Sequence, residues 1–254
     1  LSALDGSNGF TIEDPTGISA IRITSTGDYN ADGFSDLALS ASGADFNGVD
    51  SGRVYVLFGP TSEFPAVLNL ATLDASNALV IDGENSDDGL GSAVINAGDI
   101  NGDGVNDLAL SASEASPNGS ESGRAYVIFG SASAVPGVFD LNTLNGSNGF
   151  AINGEFAGDE FGGSISALGD INSDGLDDLI ISAFEADPNG IVDGGRSYVI
   201  YGQANLPATQ AVPINGVIDL FLLASMLLLM AWFQVGRKRV VESISDQAQD
   251  LCAD

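Results

Sequence analysis

The 254 residues include no histidine, and cysteine occurs once, at Cys252. The first absence removes every serine or cysteine nucleophile scheme that relies on an imidazole base, and with it the commonest zinc ligand. The second removes disulfides within the chain. Positive charge is scarce: seven bases face 35 acids, Lys238 is the sole lysine, and the formal net charge is −28. Such a surface repels nucleic acid and anionic lipid, so neither is an expected partner of the main domain. With 44% hydrophobic and 17% charged residues the chain can still bury a core. It opens at Leu1 without methionine or leader, and reads as a fragment or a processed form.

Glycine, asparagine and aspartate are abundant, clustered between short apolar runs, which favours many short strands joined by turns. One nine-residue pattern, D-x-N-x-D-G-x-x-D, occurs at 28–36, 99–107 and 170–178, each copy 71 residues after the last. Its oxygen side chains are Asp28, Asn30, Asp32 and Asp36; Asp99, Asn101, Asp103 and Asp107; Asp170, Asn172, Asp174 and Asp178. Calcium takes six to eight hard oxygen ligands, and a tightly curled loop with glycine at its turn can aim alternate side chains at one centre. The backbone carbonyls of Phe34, Val105 and Leu176 are expected as further ligands, giving three Ca2+ sites. An ordinary Asp/Asn/Gly turn is the competing reading of any single copy. Three copies in register favour the ion. An EF-hand is disfavoured, because the twelfth position is Leu39, Leu110 or Ile181 where that motif has glutamate, and apolar alternation flanks the loop.

The flanks repeat with the loops. Alternating segments precede them (18–23, 92–97, 164–168), and strand signals come after them at 36–41, 107–112 and 178–183. After a polar turn holding Asn47-Gly48, Asn118-Gly119 or Asn189-Gly190 comes a third strand at 52–59, 123–130 and 195–202. A last strand is predicted at 9–12, 78–81 and 149–152, preceded by Leu4-Asp5, Leu73-Asp74 or Leu144-Asn145. Four strands per unit of about 70 residues describe one blade of a β-propeller. By this phase Leu1 to Glu13 is the outer strand of an otherwise missing blade, and the third unit lacks its own. Either the N-terminal strand closes the last blade or further blades lie upstream; the second is favoured, since repeat units need neighbours on both faces. The recurring Arg53, Arg124 and Arg196, with Tyr55, Tyr126 and Tyr198, are expected to serve packing between strands or blades.

These units resemble FG-GAP repeats, the blades of the integrin α-subunit propeller and of many bacterial surface proteins. The calcium nonapeptide, the G-R-x-Y-V-x-(F/Y)-G strand and the Leu-(Asp/Asn)-x-Ser-Asn turn carry the resemblance over residues 1–202. It departs from the pattern where Leu90-Gly91 and Ile18-Ser19 stand in place of Phe161-Gly162 of the third unit. The expected organisation is repeats at about 1–72, 73–143 and 144–202, then a linker at 203–216. Residues 217–235 are apolar apart from Asp219, Ser225 and Gln234, and as a helix would span about 28 Å, close to a bilayer core. The basic Arg237-Lys238-Arg239 comes next and predicts a cytoplasmic side, with the propeller outside and 236–254 as a short acidic tail. The stretch from Val212 also resembles the CTERM class of sorting signals, although the chain continues past the basic cluster.

The fold expectation is therefore all-β, with propeller blades of four antiparallel strands and one C-terminal transmembrane α-helix. The functional expectation is a membrane-anchored, extracellular or periplasmic binding or adhesion module, not an enzyme, whose calcium is structural and whose partner is an unidentified extracellular protein or glycan. A purely structural surface component and a carboxylate-based propeller hydrolase are the alternatives.

Overall fold

The structure, a computed structural model, describes residues 4–14, 21–60, 63–133, 136–204 and 212–213. Every regular element among them is a strand or a single 3₁₀ turn. The predicted membrane segment at 217–235 and the tail at 236–254 lie outside the described residues. No described helix is long and apolar enough to cross a membrane.

The first repeat runs β2 (Ile21–Gly27), β3 (Asp36–Ala41), β4 (Arg53–Leu57) and β6 (Ala78–Asp82), an antiparallel meander in chain order. The second repeats it with β7 (Ala93–Gly98), β8 (Asp107–Ala112), β9 (Arg124–Ile128) and β11 (Gly149–Asn153). The third has β12 (Phe161–Gly169), β13 (Asp178–Ala183) and β14 (Arg196–Ile200), with no outer strand among the described residues. The strands after each loop begin and end where the apolar alternation predicts.

A further short strand ties each repeat to the one before it. β10 (Val138–Phe139) pairs in parallel with β6, and β15 (Val212–Pro213) with β11. β5 (Val67–Asn69) pairs the same way with β1 (Thr11–Glu13), which thus holds the outer-strand place of a preceding repeat, as the phase predicted. β5 and β10 each run into a 3₁₀ turn, Leu70–Thr72 or Leu141–Thr143, where the side chain of Asn69 or Asp140 accepts the orphan N–H of Ala71 or Asn142.

Period-two alternation sorts side chains to opposite faces of a sheet. Ala38, Val54, Val56, Leu79 and Ile81 of the first sheet meet Val94, Leu108, Leu110, Tyr126 and Ile128 of the second in one continuous core, so these sheets stack face to face. The intervening residues Leu39, Tyr55 and Leu57 pack on the other side, with Ile12, Leu68 and Leu70. Where stacked sheets approach most closely the backbone is glycine. A Cβ on Gly52 (φ +83°) would lie 2.2 Å from the Leu90 carbonyl oxygen, and one on Gly123 (φ +82°) 2.1 Å from that of Phe161. No side chain fits there.

Candidate metal centre

Each nonapeptide joins the first two strands of its repeat, at the same end of each sheet. A register shift between Ser25 and Gly27, Asn96 and Gly98, or Ala167 and Gly169 precedes it. The glycine there has φ of +68°, +76° or +65°, so a bulge turns the chain into the loop. The loop then closes on its own side chains. Asp28 Oδ1 and Asn30 Oδ1 both accept the Asp32 N–H, at 3.0 and 3.1 Å, while Asp28 Oδ2 accepts that of Gly33 at 2.9 Å. Asp32 Oδ1 takes the Phe34 N–H at 2.9 Å, and Asn30 Nδ2 donates to Asp32 Oδ2 at 2.9 Å.

The other loops repeat this net bond for bond. Asp103 N–H donates to Asp99 Oδ1 and Asn101 Oδ1 at 3.1 and 2.8 Å, and Asp174 N–H to Asp170 Oδ1 and Asn172 Oδ1 at 3.1 and 2.9 Å. Val105 and Leu176 N–H groups are held by Asp103 Oδ1 and Asp174 Oδ1, both at 2.9 Å. The structure therefore brings the oxygens of positions 1 and 3 onto one backbone nitrogen, that of position 5, in every loop, while the position 5 carboxylate accepts the N–H of position 7. A carboxylate oxygen that accepts one hydrogen bond keeps a lone pair for a cation.

Position 9 has a second role that spacing did not disclose. Asp36, Asp107 and Asp178 are almost fully buried at the start of the second strand. One oxygen accepts the N–H of position 2 (Tyr29, Ile100, Ile171) at 2.8, 2.9 and 2.9 Å. The other accepts the N–H of the glycine two residues past the third strand (Gly59, Gly130, Gly202) at 2.8, 2.9 and 2.9 Å. This carboxylate thus pins the loop to the sheet. Burial raises the pKa of Asp36, and pushes that of Asp107 up to about 7 against these two N–H donors, with Asp103 and Asp99 adding repulsion.

Among the described residues no group of three or more Asp, Glu, His or Cys side chains stands together in a metal-holding arrangement. The donors brought together are instead two carboxylates and one amide oxygen per loop, with the position 9 acid bonded to the backbone of position 2 in the same loop. That all-oxygen, anionic set fits Ca2+ and not zinc or copper. The residues that would hold it are Asp28, Asn30, Asp32, Asp36 and the Phe34 carbonyl, with their equivalents in the second and third loops. The ion would offset the mutual repulsion of the carboxylates.

The loops also sit at the joins between repeats. Tyr29 and Ile100, at position 2, are 2% and 1% exposed, and their carbonyls accept the N–H groups of Ser131 and Gln203 from the next repeat, at 3.0 and 2.9 Å. Asp177 Oδ2, in the third loop, accepts the Asp99 N–H of the second at 2.8 Å.

The recurring arginines are packing residues, as expected, and their partners were not legible in the sequence. Arg124 Nε donates to Asn153 on its own outer strand at 2.7 Å, while its Nη1 reaches Glu84 of the preceding repeat at 2.5 Å. Glu84 also accepts the buried Tyr126 hydroxyl at 2.7 Å. Arg196 Nη1 meets Glu155 in the same way at 2.7 Å, and Arg53 forks onto Asp82. At the end of the sheets away from the nonapeptide loops, a cleft of about 620 Å³ lies between the 85–88 and 114–121 loops, lined by Asp87, Asp88, Glu114, Glu121 and Arg124.

Comparison with known proteins returns the same period. The FG-GAP repeat model matches residues 21–57, 91–128 and 161–200. Phosphatidylinositol-glycan-specific phospholipase D of Mus musculus is 34% identical over 126 residues, 48% of this chain and 14% of that protein. Integrin alpha-IIb is 30% identical in Mus musculus over 165 residues and 31% in Homo sapiens over 167, in each case 63% of this chain and 14% of the relative. The chain thus spans about a seventh of the length of the curated relatives it matches. Each match takes in the first three strands of one repeat and the loop between the first two of them: the chain carries three FG-GAP repeats.

Proposed function

We propose that the chain is a calcium-stabilised section of a β-propeller that presents a binding surface outside the cell, in adhesion or matrix contact, anchored to a membrane through residues 217–235. The observation that carries the calcium reading is the threefold recurrence of one curled loop, with the same oxygens converging in each copy. The relatives support a module reading. They are named for an integrin and for a phospholipase, and each shares only about a seventh of its length with this chain. A module found in proteins of such different names supplies a scaffold rather than one chemistry. The similarity to the phospholipase thus brings no catalytic role with it.

The ions are structural in this reading. The first two would hold loops whose second residues, Tyr29 and Ile100, are buried and bonded to the chain that follows, so calcium would stiffen those joins as well as the loops. The surface left for a partner is the opposite end, where the acidic cleft beside Arg124 favours cationic groups on a protein or glycan. Extracellular modules bind calcium in the range of about 0.1–1 mM. The test is calorimetry on EDTA-treated chain: three binding events and a melting temperature that rises with calcium are expected. No heat of binding and an unchanged melting temperature would end the calcium reading. For topology, protease added outside intact cells is expected to remove residues 1–202; their protection would overturn the orientation.

A further inference from the structure

The three loops share one pattern but are not joined to one another in one way. Position 8, just before the buried carboxylate of position 9, is Ser35 in the first, Asn106 in the second and Asp177 in the third. Asp177 reaches the second loop and bonds it twice: its own N–H donates to the Asp99 carbonyl at 3.0 Å, and its Oδ2 accepts the Asp99 N–H at 2.8 Å. Asp99 is position 1 of that loop. Its carboxylate accepts the N–H groups of Gly102, Asp103 and Gly104, so it is the residue on which the second loop closes. Asp177 in turn lies between Leu176 and Asp178, both in the ligand set expected of the third loop.

The contact is closely fitted. The residue before the second loop is glycine, and a Cβ on Gly98 (φ +76°) would lie 2.1 Å from Asp177 Oδ2. A carboxylate that accepts a backbone N–H makes a charge-assisted bond, stronger than a neutral pair.

Among the described residues the first and second loops have neither bond between them. Asn106 takes the corresponding place, its Cγ 2.7 Å from a would-be Cβ on Gly27, but its Oδ1 accepts the side-chain N–H of Asn96 at 3.4 Å. The residue equivalent to Asn96 in the third repeat is Ala167, so no amide there competes for Asp177. The bonds from Ser131 to the Tyr29 carbonyl and from Gln203 to the Ile100 carbonyl are common to both joins. The carboxylate at position 8 is the difference.

We propose, taking the loops to hold calcium as in the reading above, that Asp177 is a positioning residue that couples the second and third sites, so that an ion in either raises the affinity of the other, while the first site binds independently. An ion in the second loop fixes Asp99. Through the two bonds it also fixes the segment that carries the Leu176 carbonyl and Asp178. The same bonds act in the other direction, since coupling between two binding equilibria is reciprocal. Repulsion between two bound dications opposes the effect, so the sign of the measured coupling is decisive.

The test is calcium calorimetry on the full chain with loops disabled at position 5. Asp32→Ala leaves the second and third sites; Asp32→Ala/Asp103→Ala and Asp32→Ala/Asp174→Ala leave one site each. The two-site chain is expected to bind its second ion roughly fivefold or more tightly than the one-site chains predict. The Asp174→Ala chain, which keeps the first and second sites, should match the sum of independent sites. Adding Asp177→Ala to Asp32→Ala should abolish the excess, and Asp177→Asn, which keeps an acceptor oxygen without the charge, should retain it. Hydrogen exchange in calcium gives a second readout: Asp174→Ala is expected to speed exchange of the Asp99 amide and leave that of Asp28 unchanged. Independent or mutually weakening second and third sites, an excess that survives Asp177→Ala or is lost in Asp177→Asn, or an Asp99 amide indifferent to Asp174→Ala would each overturn the coupling and leave the calcium reading standing. Absence of any calcium heat would overturn both.

Discussion

The second and third sheets come from nearly the same sequence pattern and end in different environments. In the second, Val127 is 1% exposed and Ile100, at the second position of its nonapeptide loop, also 1%; in the third, Val199 is 43% exposed and Ile171 51%. The strands, the loop net and the arginine–glutamate contact are common to both. Among the described residues the difference is one neighbouring sheet. A repeat brings its own hydrogen-bonded frame, but burial of its outward face depends on the presence of another sheet stacked against it, which is the general economy of stacked repeats.

That comparison breaks most readily at the closest approach of two sheets. Gly123 meets Phe161 backbone, whereas the equivalent Gly195 (φ +69°) has its nearest neighbour, the Phe184 carbonyl oxygen, 3.3 Å from a would-be Cβ. Gly123→Ala is expected to cost on the order of 3 kcal/mol, combining a left-handed backbone with a clash that must separate the sheets. Gly195→Ala should cost about 1 kcal/mol, the backbone contribution alone. The shift in urea midpoint measures both, and equal values would show that the third sheet is as closely covered as the second.

The pinning carboxylate should matter nearly as much, and alike in both sheets. Asp107→Ala leaves the N–H groups of Ile100 and Gly130 without their acceptor, a loss of roughly 2–4 kcal/mol. Asp178→Ala should fall in the same range, because its bonds to Ile171 and Gly202 are the same. A much smaller loss at either site, by urea denaturation in EDTA, would mean that the oxygen matters only for calcium.

The smallest contrast is in packing. Val127→Ala is expected to cost about 2 kcal/mol and Val199→Ala less than about 0.5 kcal/mol, since only the first loses buried methyl groups.

Much of the site was legible in the sequence for a local reason. The bonds that curl each loop join side chains to backbone within five residues, so the spacing of Asp28, Asn30 and Asp32 already contains the geometry. The strands at 36–41, 107–112 and 178–183 were equally plain, because six alternating residues make a period-two signal. β5 and β10 were missed: two or three residues carry no period, and parallel pairing with the preceding repeat is what makes them strands.

By itself, then, the sequence determined the 71-residue period, the oxygen-rich chemistry of the three loops and the order of strands within a repeat, all of them matters of neighbours along the chain. Tertiary structure decided the rest. It chose Glu84 and Glu155 as the arginines' partners, turned Asp36, Asp107 and Asp178 inward, and buried Val56 and Val127 while Val199, at the same place in the third sheet, is exposed. Contacts between residues about 40 apart, and burial of a face, depend on which sheets come together in space, and no local pattern records that.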